Sequence, residues 1–190
     1  MARSYTKAKR AEQEAETRQR ITEAALALHG EIGPSATTIS MIAERAGVQR
    51  HTVYAHLPDE RAVFMACSGL FDERQPLPSP ELWAGSNDPE TRLRTALTAL
   101  YAWFARNEDV TGHVLRDAEQ NQTLREVSNL RFNAPLGEIY RSLAEGLNAE
   151  GKAALTLAMS FYTWRTLRDT GVTAEAAANL MTRAVLAGRR

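Results

Sequence analysis

A cluster of four consecutive residues offers side chains that suit the recognition of nucleic acid. They are Gln49, Arg50, His51 and Thr52. An arginine can donate two hydrogen bonds to a guanine and a glutamine can pair with an adenine, so Arg50 and Gln49 are candidates for base contacts. Tyr54 and His56 follow closely in the sequence and are candidates for contacts to flanking phosphates.

The residues around this cluster predict two short helices joined by a tight turn. We expect one helix from about Thr38 to Ala46 and a second from about Gln49 to Ala55. Ala43 is small where the helices must cross, and Gly47 suits the left-handed backbone of the turn. Such a helix-turn-helix presents its second helix to the major groove. An ordinary pair of core helices has the same spacing, but it does not need the polar set on its second helix.

Residues that commonly carry catalysis or bind metals are scattered along the chain. The histidines, His29, His51, His56 and His113, lack the spacing of metal ligands, and the sequence has no glycine-rich phosphate loop. The single cysteine, Cys67, lies among apolar residues and is expected to be a buried thiol in a reducing compartment. We therefore expect no enzymatic activity, no metal and no cofactor.

The charge distribution is more informative than the net charge, which is zero. A neutral protein releases too few counterions for sequence-independent DNA binding to be its purpose, which argues against an architectural protein. Basic residues nevertheless gather near the N-terminus, first without any acid and then among the first helices. They are Arg3, Lys7, Lys9, Arg10, Arg18, Arg20, Arg45 and Arg50. Residues 1–12 are interpreted as a flexible basic arm, with a solvated tail of no function as the alternative.

The sequence also bears on where the protein resides. No stretch approaches the roughly 18 apolar residues of a membrane span, and no apolar segment follows the basic N-terminus as in a signal peptide. We expect a soluble cytoplasmic protein that does not interact with membranes.

Apolar residues recur with the helical period along nearly the whole chain, so we predict an all-α fold of about nine helices. The first should run from about Glu14 to Gly30, and a longer one from Asp59 to Asp72. The proline-rich segment 75–89 is predicted to be a loop. Later helices are expected at about Pro89 to Asn107, Asp109 to Asn121, Thr123 to Gly146 with a break near Pro135, Lys152 to Thr170, and Thr173 to Gly188. Left-handed glycines are expected to end helices at Gly146, Gly151, Gly171 and Gly188.

The chain resembles, over about 45 residues, the N-terminal domain of the tetracycline-repressor (TetR) family of transcriptional regulators. The matching residues are Arg20-Ile21, Ala24-Ala25, Gly33, Thr37-Thr38, Ile42 through Val48, and Thr52 through Leu57. The resemblance implies a DNA-binding domain at residues 1–58 and a ligand-binding and dimerisation domain at 59–190. It also implies a homodimer that represses at a palindromic double-stranded operator and is released by a small hydrophobic or aromatic effector. An activator of the same fold, an orphan helical enzyme and a partner-binding protein remain the alternatives.

Carried over residue by residue, the resemblance assigns further DNA contacts. Thr38 matches the helix cap that offers its hydroxyl and backbone N–H to a phosphate, and Ser40 on the same turn would touch the backbone or a base. Tyr54 and His56 match the phosphate contacts of the family. One position departs: Glu60 stands where many members carry a lysine, so that contact is either absent or moved to Arg61.

The C-terminal half is expected to form an effector pocket and a dimer interface. The pocket is predicted from aromatic and polar residues on several helices: Leu97, Tyr101, Phe104, His113, Arg116, Phe132, Tyr140, Phe161, Trp164 and Arg165, with Trp83 as a lid. The dimer interface is predicted from the last two helices: Tyr162, Ala177, Leu180, Met181, Ala184, Val185 and Gly188. The alternative is that both stripes are the core of a monomer.

Overall fold

The structure, a computed structural model, describes the backbone of residues 2–188 and the side chains of residues 8–188. Over that part of the chain every regular element is a helix, which confirms the predicted fold class. The helices of the N-terminal half are α1 Ala2–Glu31, α2 Ile39–Ala46, α3 Arg50–His56, α4 Glu60–Arg74, α5 Glu81–Ala84 and α6 Pro89–Arg106. Those of the C-terminal half are α7 Glu108–Ala118, α8 Gln122–Ser128, a π-helical segment Asn129–Asn133, α9 Ala134–Leu143, α10 Ala149–Ala158, α11 Phe161–Asp169 and α12 Ala174–Ala187.

The helices form two compact units that do not follow chain order. The first unit contains the chain up to Arg74 together with Gly112–Arg131, and the second contains Gln75–Thr111 together with the segment from Phe132 onward. Most of α7 and all of α8 therefore belong to the same unit as α2 and α3. The predicted division into functional domains after residue 58 stays a prediction.

Helix α1 begins at Ala2, well before the predicted start near Glu14. Alanine, arginine and lysine, which favour helices, supply seven of the twelve added residues 2–13. An ion pair of 3.1 Å joins Arg10 to Glu14 one turn later. The side chains of Arg3 and Lys7 lie outside the described residues, and the flexibility of the predicted arm stays a prediction. The helix ends before Gly33, whose φ of +93° reverses the chain as a glycine allows.

The core of the first unit is built from α1, α2, α3 and α4. Ile21, Ala24, Ala25 and Leu28 of α1 are buried, as the helical period predicts, against Ile42, Ala43, Ala46, Val53, Leu57, Val63 and Cys67. A second cluster packs α4 against α7 and α8 through Phe64, Ala118, Leu124 and Val127. Burial raises the pKa of the Cys67 thiol to about 12, so this cysteine is an inert core residue.

In the second unit α12 packs against α6 and α10. The predicted left-handed conformation is present at Gly146 and Gly171 but wrong for Gly151 and Gly188. Gly188 approaches α10 so closely that a Cβ there would lie 2.3 Å from the Gly151 nitrogen. The absence of a side chain at Gly188 therefore serves packing rather than a left-handed turn.

The predicted helix from Lys152 to Thr170 is interrupted at Ser160, whose backbone is extended (φ −77°, ψ 132°). The hydroxyl of Tyr101, on α6, donates a hydrogen bond of 2.8 Å to the carbonyl of Ala158. This donor takes the place of the backbone N–H that a continuous helix would supply. The proline-rich loop likewise holds the short helix α5, where buried Trp83 donates from its ring nitrogen to the Ser142 hydroxyl at 3.2 Å. Trp83 is thus anchored in the core rather than free as a lid.

Candidate nucleic-acid interface

The turn between α2 and α3 has the geometry of a helix-turn-helix. Gly47 adopts a left-handed conformation (φ 66°, ψ 39°), and the Val48 N–H closes the turn on the Ala43 carbonyl at 3.0 Å. Ala43 is 3% exposed, as expected for a small residue at a helix crossing. Val53 is fully buried and fixes the orientation of α3, which leaves the opposite side of that helix to solvent.

The start of α2 suits a phosphate contact. Thr38 is the N-cap, and its hydroxyl accepts from the Met41 N–H at 3.2 Å. Thr38 and Ser40 are both exposed. The unpaired N–H groups and dipole of a helix start attract anions, so this end of α2 can bind a phosphate group.

The predicted recognition residues gather at the start of α3. Gln49 is the N-cap, makes no side-chain capping hydrogen bond, and is exposed together with Arg50 and His51. Thr52 and His56 are half-buried, whereas the Tyr54 side chain is 47% exposed. The end of α3 that enters the groove in helix-turn-helix proteins therefore presents three polar side chains to solvent.

Two arginines of the basic group near the N-terminus, Arg18 and Arg20, donate hydrogen bonds to carbonyls at helix ends. Arg18 donates to the carbonyl of His56, the last residue of α3. Arg20 donates at 3.4 Å to the carbonyl of Ala46, the last residue of α2. Sequence reasoning missed these two roles, because a cation at a helix C-terminus can be recognised only when the packing of α1 is known.

Arg45 and Arg50 differ in whether a carboxylate lies close to the guanidinium. Arg45 pairs with Glu31 at 2.6 Å, and that hydrogen bond raises the pKa of Arg45. Among the described residues, no carboxylate lies within ion-pair distance of Arg50. The recognition helix therefore carries an exposed guanidinium that is available to a ligand.

Glu60, where the sequence departs from the family pattern, and its neighbour Arg61 both form contacts at α8 or its N-cap. Glu60 accepts from the Asn121 side chain at 2.9 Å, and Arg61 pairs with Glu126 at 3.0 Å. Arg61 is thus engaged inside the first unit rather than free to replace the lysine. These contacts tie the start of α4 to α8.

The loop between α1 and α2 is held by α7. The Ser35 N–H donates to a carboxylate oxygen of Asp117 at 2.8 Å, and Arg116 donates to the other oxygen at 2.8 Å. Burial raises the pKa of Asp117, but the hydrogen bonds from Arg116 and Ser35 outweigh it and hold that pKa below its ordinary value. His113 lies 3.1 Å from the Gly30 carbonyl through its Nδ1. Of these two predicted pocket residues, His113 thus contacts the end of α1, and Arg116 supports the carboxylate that holds the following loop.

His29, at the end of α1, is a buried histidine beside these residues. Its ring centroid lies 5.8 Å from that of Phe64. Burial lowers the pKa of His29 to about 4, although the nearby Asp117 carboxylate acts in the opposite direction. His29 is therefore neutral at physiological pH and packs in the core of the first unit.

The other predicted pocket residues lie in the second unit, where most of them pack on one another. Leu97, Tyr101 and Phe104 are fully buried, and the Phe104 ring lies 5.5 Å from Phe161 and 5.7 Å from Trp164. Phe132 stacks on Trp103, Tyr140 is half-buried, and Arg165 lies over the rings of Phe161 and Tyr162. The rings of this aromatic cluster contact one another, and its role in ligand binding stays a prediction.

The predicted dimer residues divide between two sides of their helices. Ala177, Val185 and Gly188 are buried inside the second unit, so these three belong to its own core. Leu180 and Ala184 of α12 are exposed, as is Tyr162 of α11, and Met181 is half-buried. The outward set is consistent with an interface, which stays a prediction.

The described residues lack two kinds of feature. None of the described helices is long and apolar enough to cross a membrane. In the same part of the chain, no group of three or more histidine, cysteine, aspartate or glutamate side chains could hold a metal ion.

Comparison with known proteins places the helix-turn-helix in a family. Residues 21–67 match the family model described as bacterial regulatory proteins, tetR family. No protein of curated function matches the sequence.

Solved structures with the same fold cover nearly the whole chain. A hemolysin II transcriptional regulator superposes with a TM-score of 0.68 at 17% identity, covering 93% of this chain and 99% of its own. The fatty acid degradation regulator of Bacillus halodurans gives a TM-score of 0.62 at 19% identity, with 92% and 96% covered. A TetR-like transcriptional regulator from Rhodococcus sp. RHA1 gives 0.62 at 18% identity, with 90% and 94% covered. At these identities the similarity establishes the fold of the chain.

Proposed function

Residues 21–67 match the model of the tetR family of bacterial regulatory proteins, and we propose that this chain is a repressor of that kind, which binds a palindromic operator as a dimer. The observation that carries the proposal is the exposed start of α3, where Gln49, Arg50 and His51 are available to base edges. Thr38 would hold a phosphate at the start of α2, with Ser40, Thr52, Tyr54 and His56 as further contacts.

Selection of binding sites from a random DNA pool tests this proposal directly. Enrichment of a palindrome with half-sites about one helical turn apart is expected, because a two-fold dimer places two copies of α3 in successive major grooves. If the selection enriched no sequence, or only a single unrepeated half-site, the result would contradict the proposal.

Arg50 offers the sharpest test of how bases are read. Arg50→Ala should weaken binding to the selected site by about 1 to 3 kcal/mol and relax the preference at one base position. Arg45→Ala is the matched control, since it removes the same charge from a residue already paired with Glu31. A loss for Arg50→Ala that is equal over all DNA sequences would mean that Arg50 contacts only phosphate.

The proposed dimer forms through the outward side of the last two helices. Leu180 is 41% exposed and Tyr162 40% exposed, and large apolar side chains on a surface favour association. Leu180→Arg should convert a dimer into a species near the chain mass of 21.0 kDa in light scattering. Leu82→Arg, at an exposed leucine of α5, is the control and should leave the dimer intact. A wild-type protein of single-chain mass would rule out the dimer.

The proposed effector is a hydrophobic or aromatic molecule that binds in the second unit. The aromatic cluster supplies apolar surface, and the Thr182 hydroxyl, which is buried, has no hydrogen-bond partner among the described residues. A hydrophobic or aromatic ligand would displace ring contacts of this cluster, and a polar group that reached Thr182 would satisfy its hydroxyl. Effector binding would then shift the positions of the two recognition helices through α4 and lower operator affinity.

Coupling between two binding sites is reciprocal, which gives this mechanism its test. Small aromatic and aliphatic molecules would be screened by thermal shift, and each binder titrated with and without the selected operator. An effector should bind more weakly to the operator complex by the same factor by which it weakens operator binding. A binder without that reciprocity would not be the effector.

A further inference from the structure

One carboxylate outside the matched family region holds the loop that leads into the proposed phosphate contact. Asp117 lies on α7, is 6% exposed, and accepts a hydrogen bond of 2.8 Å from the Ser35 N–H. Gly33, in the same loop, lies so close that a Cβ there would be 2.9 Å from the Asp117 carboxylate and 2.6 Å from Arg116. The loop is therefore seated directly on this pair of side chains.

A short chain of hydrogen bonds connects Asp117 to the start of α2. Ser35 is held by Asp117, and the Thr37 hydroxyl donates to the Gly33 carbonyl at 2.8 Å across the same loop. The next residue, Thr38, caps α2 through the Met41 N–H. Because the loop between Gly33 and Thr38 has few residues, fixing Ser35 limits where the N-cap of α2 can lie.

We propose that Asp117 is a positioning residue for operator binding, which holds the α1–α2 loop so that Thr38 and the start of α2 meet a DNA phosphate. The inference rests on the proposed function and adds α7 to the parts of the protein that determine operator affinity. Arg116 supports the carboxylate from its other side, and the contact of His113 with the Gly30 carbonyl fixes α7 against the end of α1.

The test compares Asp117→Ala, Asp117→Asn and the control Glu119→Ala in the full chain. Asparagine keeps an oxygen that can accept from Ser35, whereas alanine removes it, and Glu119 is an exposed acid of the same charge nearby. Asp117→Ala should weaken binding to the selected operator about tenfold. Asp117→Asn should retain most of the affinity, and Glu119→Ala should match the wild type.

The salt dependence of binding separates positioning from a general loss of folded protein. Loss of one phosphate contact per protomer should lower the slope of log K against log salt by about 0.9 for each half-site, which a smaller folded fraction would not do. The amide proton of Ser35 should also exchange faster and move upfield in the NMR spectrum of Asp117→Ala. Stoichiometric titration with operator gives the active fraction, so a partly unfolded variant remains interpretable.

Several outcomes would overturn the role of Asp117. They are an unchanged affinity and slope in Asp117→Ala, a loss of affinity at unchanged slope, or an Asp117→Asn variant as defective as alanine. Each of these leaves the proposed function intact, because the wild type still binds its operator. A wild type that selects no DNA site would overturn the proposed function, and this role with it.

Discussion

The contacts inside the first unit differ in kind from those inside the second unit. In the first unit, polar side chains bind the backbone at helix ends and loops, as Arg18 does at His56, Arg20 at Ala46 and Asp117 at Ser35. In the second unit, aromatic rings gather around Phe104, although side chains such as Tyr101 also bind the backbone there. Directional hydrogen bonds fix orientation, whereas burial of apolar surface supplies stability. Substitutions in the second unit should therefore change stability most, and those at the polar contacts of the first unit should change DNA binding.

The largest effect is expected from Phe104→Ala in the centre of the second unit. The ring is fully buried among other aromatic rings, so its removal should lower the free energy of unfolding by about 3 to 5 kcal/mol. Urea denaturation measures this loss, with Phe104→Leu as a milder variant. Leu157→Ala, at a side chain 60% exposed, should change stability by less than about 0.5 kcal/mol. Equal losses at both positions would mean that the buried Phe104 ring contributes no more to the stability of the second unit than an exposed leucine does.

The features that sequence alone predicts correctly depend on nearby residues. Helix α6 begins at Pro89 as expected, with Asp88 as its cap, and Gly47 turns the chain between α2 and α3 as expected. These signals are local, because a cap or a left-handed glycine acts within one turn of helix. The same holds for the exposed polar residues of α3, whose neighbour Val53 marks the buried side.

The features that the sequence does not reveal depend on contacts between distant residues. The break after Ala158 requires Tyr101 from α6, and the close packing of Gly188 requires Gly151 from α10. The attachment of Ser35 to Asp117 joins residues far apart in the chain. No local pattern encodes such pairs, and a single sequence contains no covariation that could replace the pattern.

The first unit also contains a buried histidine, His29, whose burial should make the stability of the protein depend on pH. The pKa of His29 is about 4 in the folded protein and 6.5 ordinarily, so between these values only the unfolded chain binds the proton. Stability should thus fall as pH drops from 6.5 to 4, by about 1.4 kcal/mol per pH unit and about 3 kcal/mol in total. Urea denaturation at pH 7, 6 and 5 measures the slope.

A His29→Met variant provides the control for this pH dependence. Methionine does not titrate and fills a similar apolar site, so most of the slope between pH 6.5 and 4 should disappear. The lowered pKa of Asp117 contributes only at more acid pH, where its carboxylate becomes protonated. A variant that keeps the full slope would assign the pH dependence to another group.

A moderate effect, on DNA binding rather than on stability, is expected from Arg18→Met. The arginine binds the last carbonyl of the recognition helix, so its loss should loosen α3 and weaken operator binding by about 1 kcal/mol. The salt slope of binding should not change, because this guanidinium contacts protein and not phosphate. Gln19→Met, one residue away, is the control. A smaller slope in Arg18→Met would instead mean that Arg18 contacts DNA directly.

The smallest effect concerns Glu60, which accepts a hydrogen bond from Asn121. Glu60→Lys removes the acceptor of the Asn121 side chain, a contact at an exposed site that should contribute about 0.5 kcal/mol or less to stability. If the start of α4 lies near a phosphate, the new lysine should tighten operator binding by about 0.5 kcal/mol and steepen the salt slope. Glu119→Lys makes the same change of charge elsewhere in the first unit and controls for long-range attraction. An equal gain of operator affinity in both variants would mean that the start of α4 does not lie near a DNA phosphate.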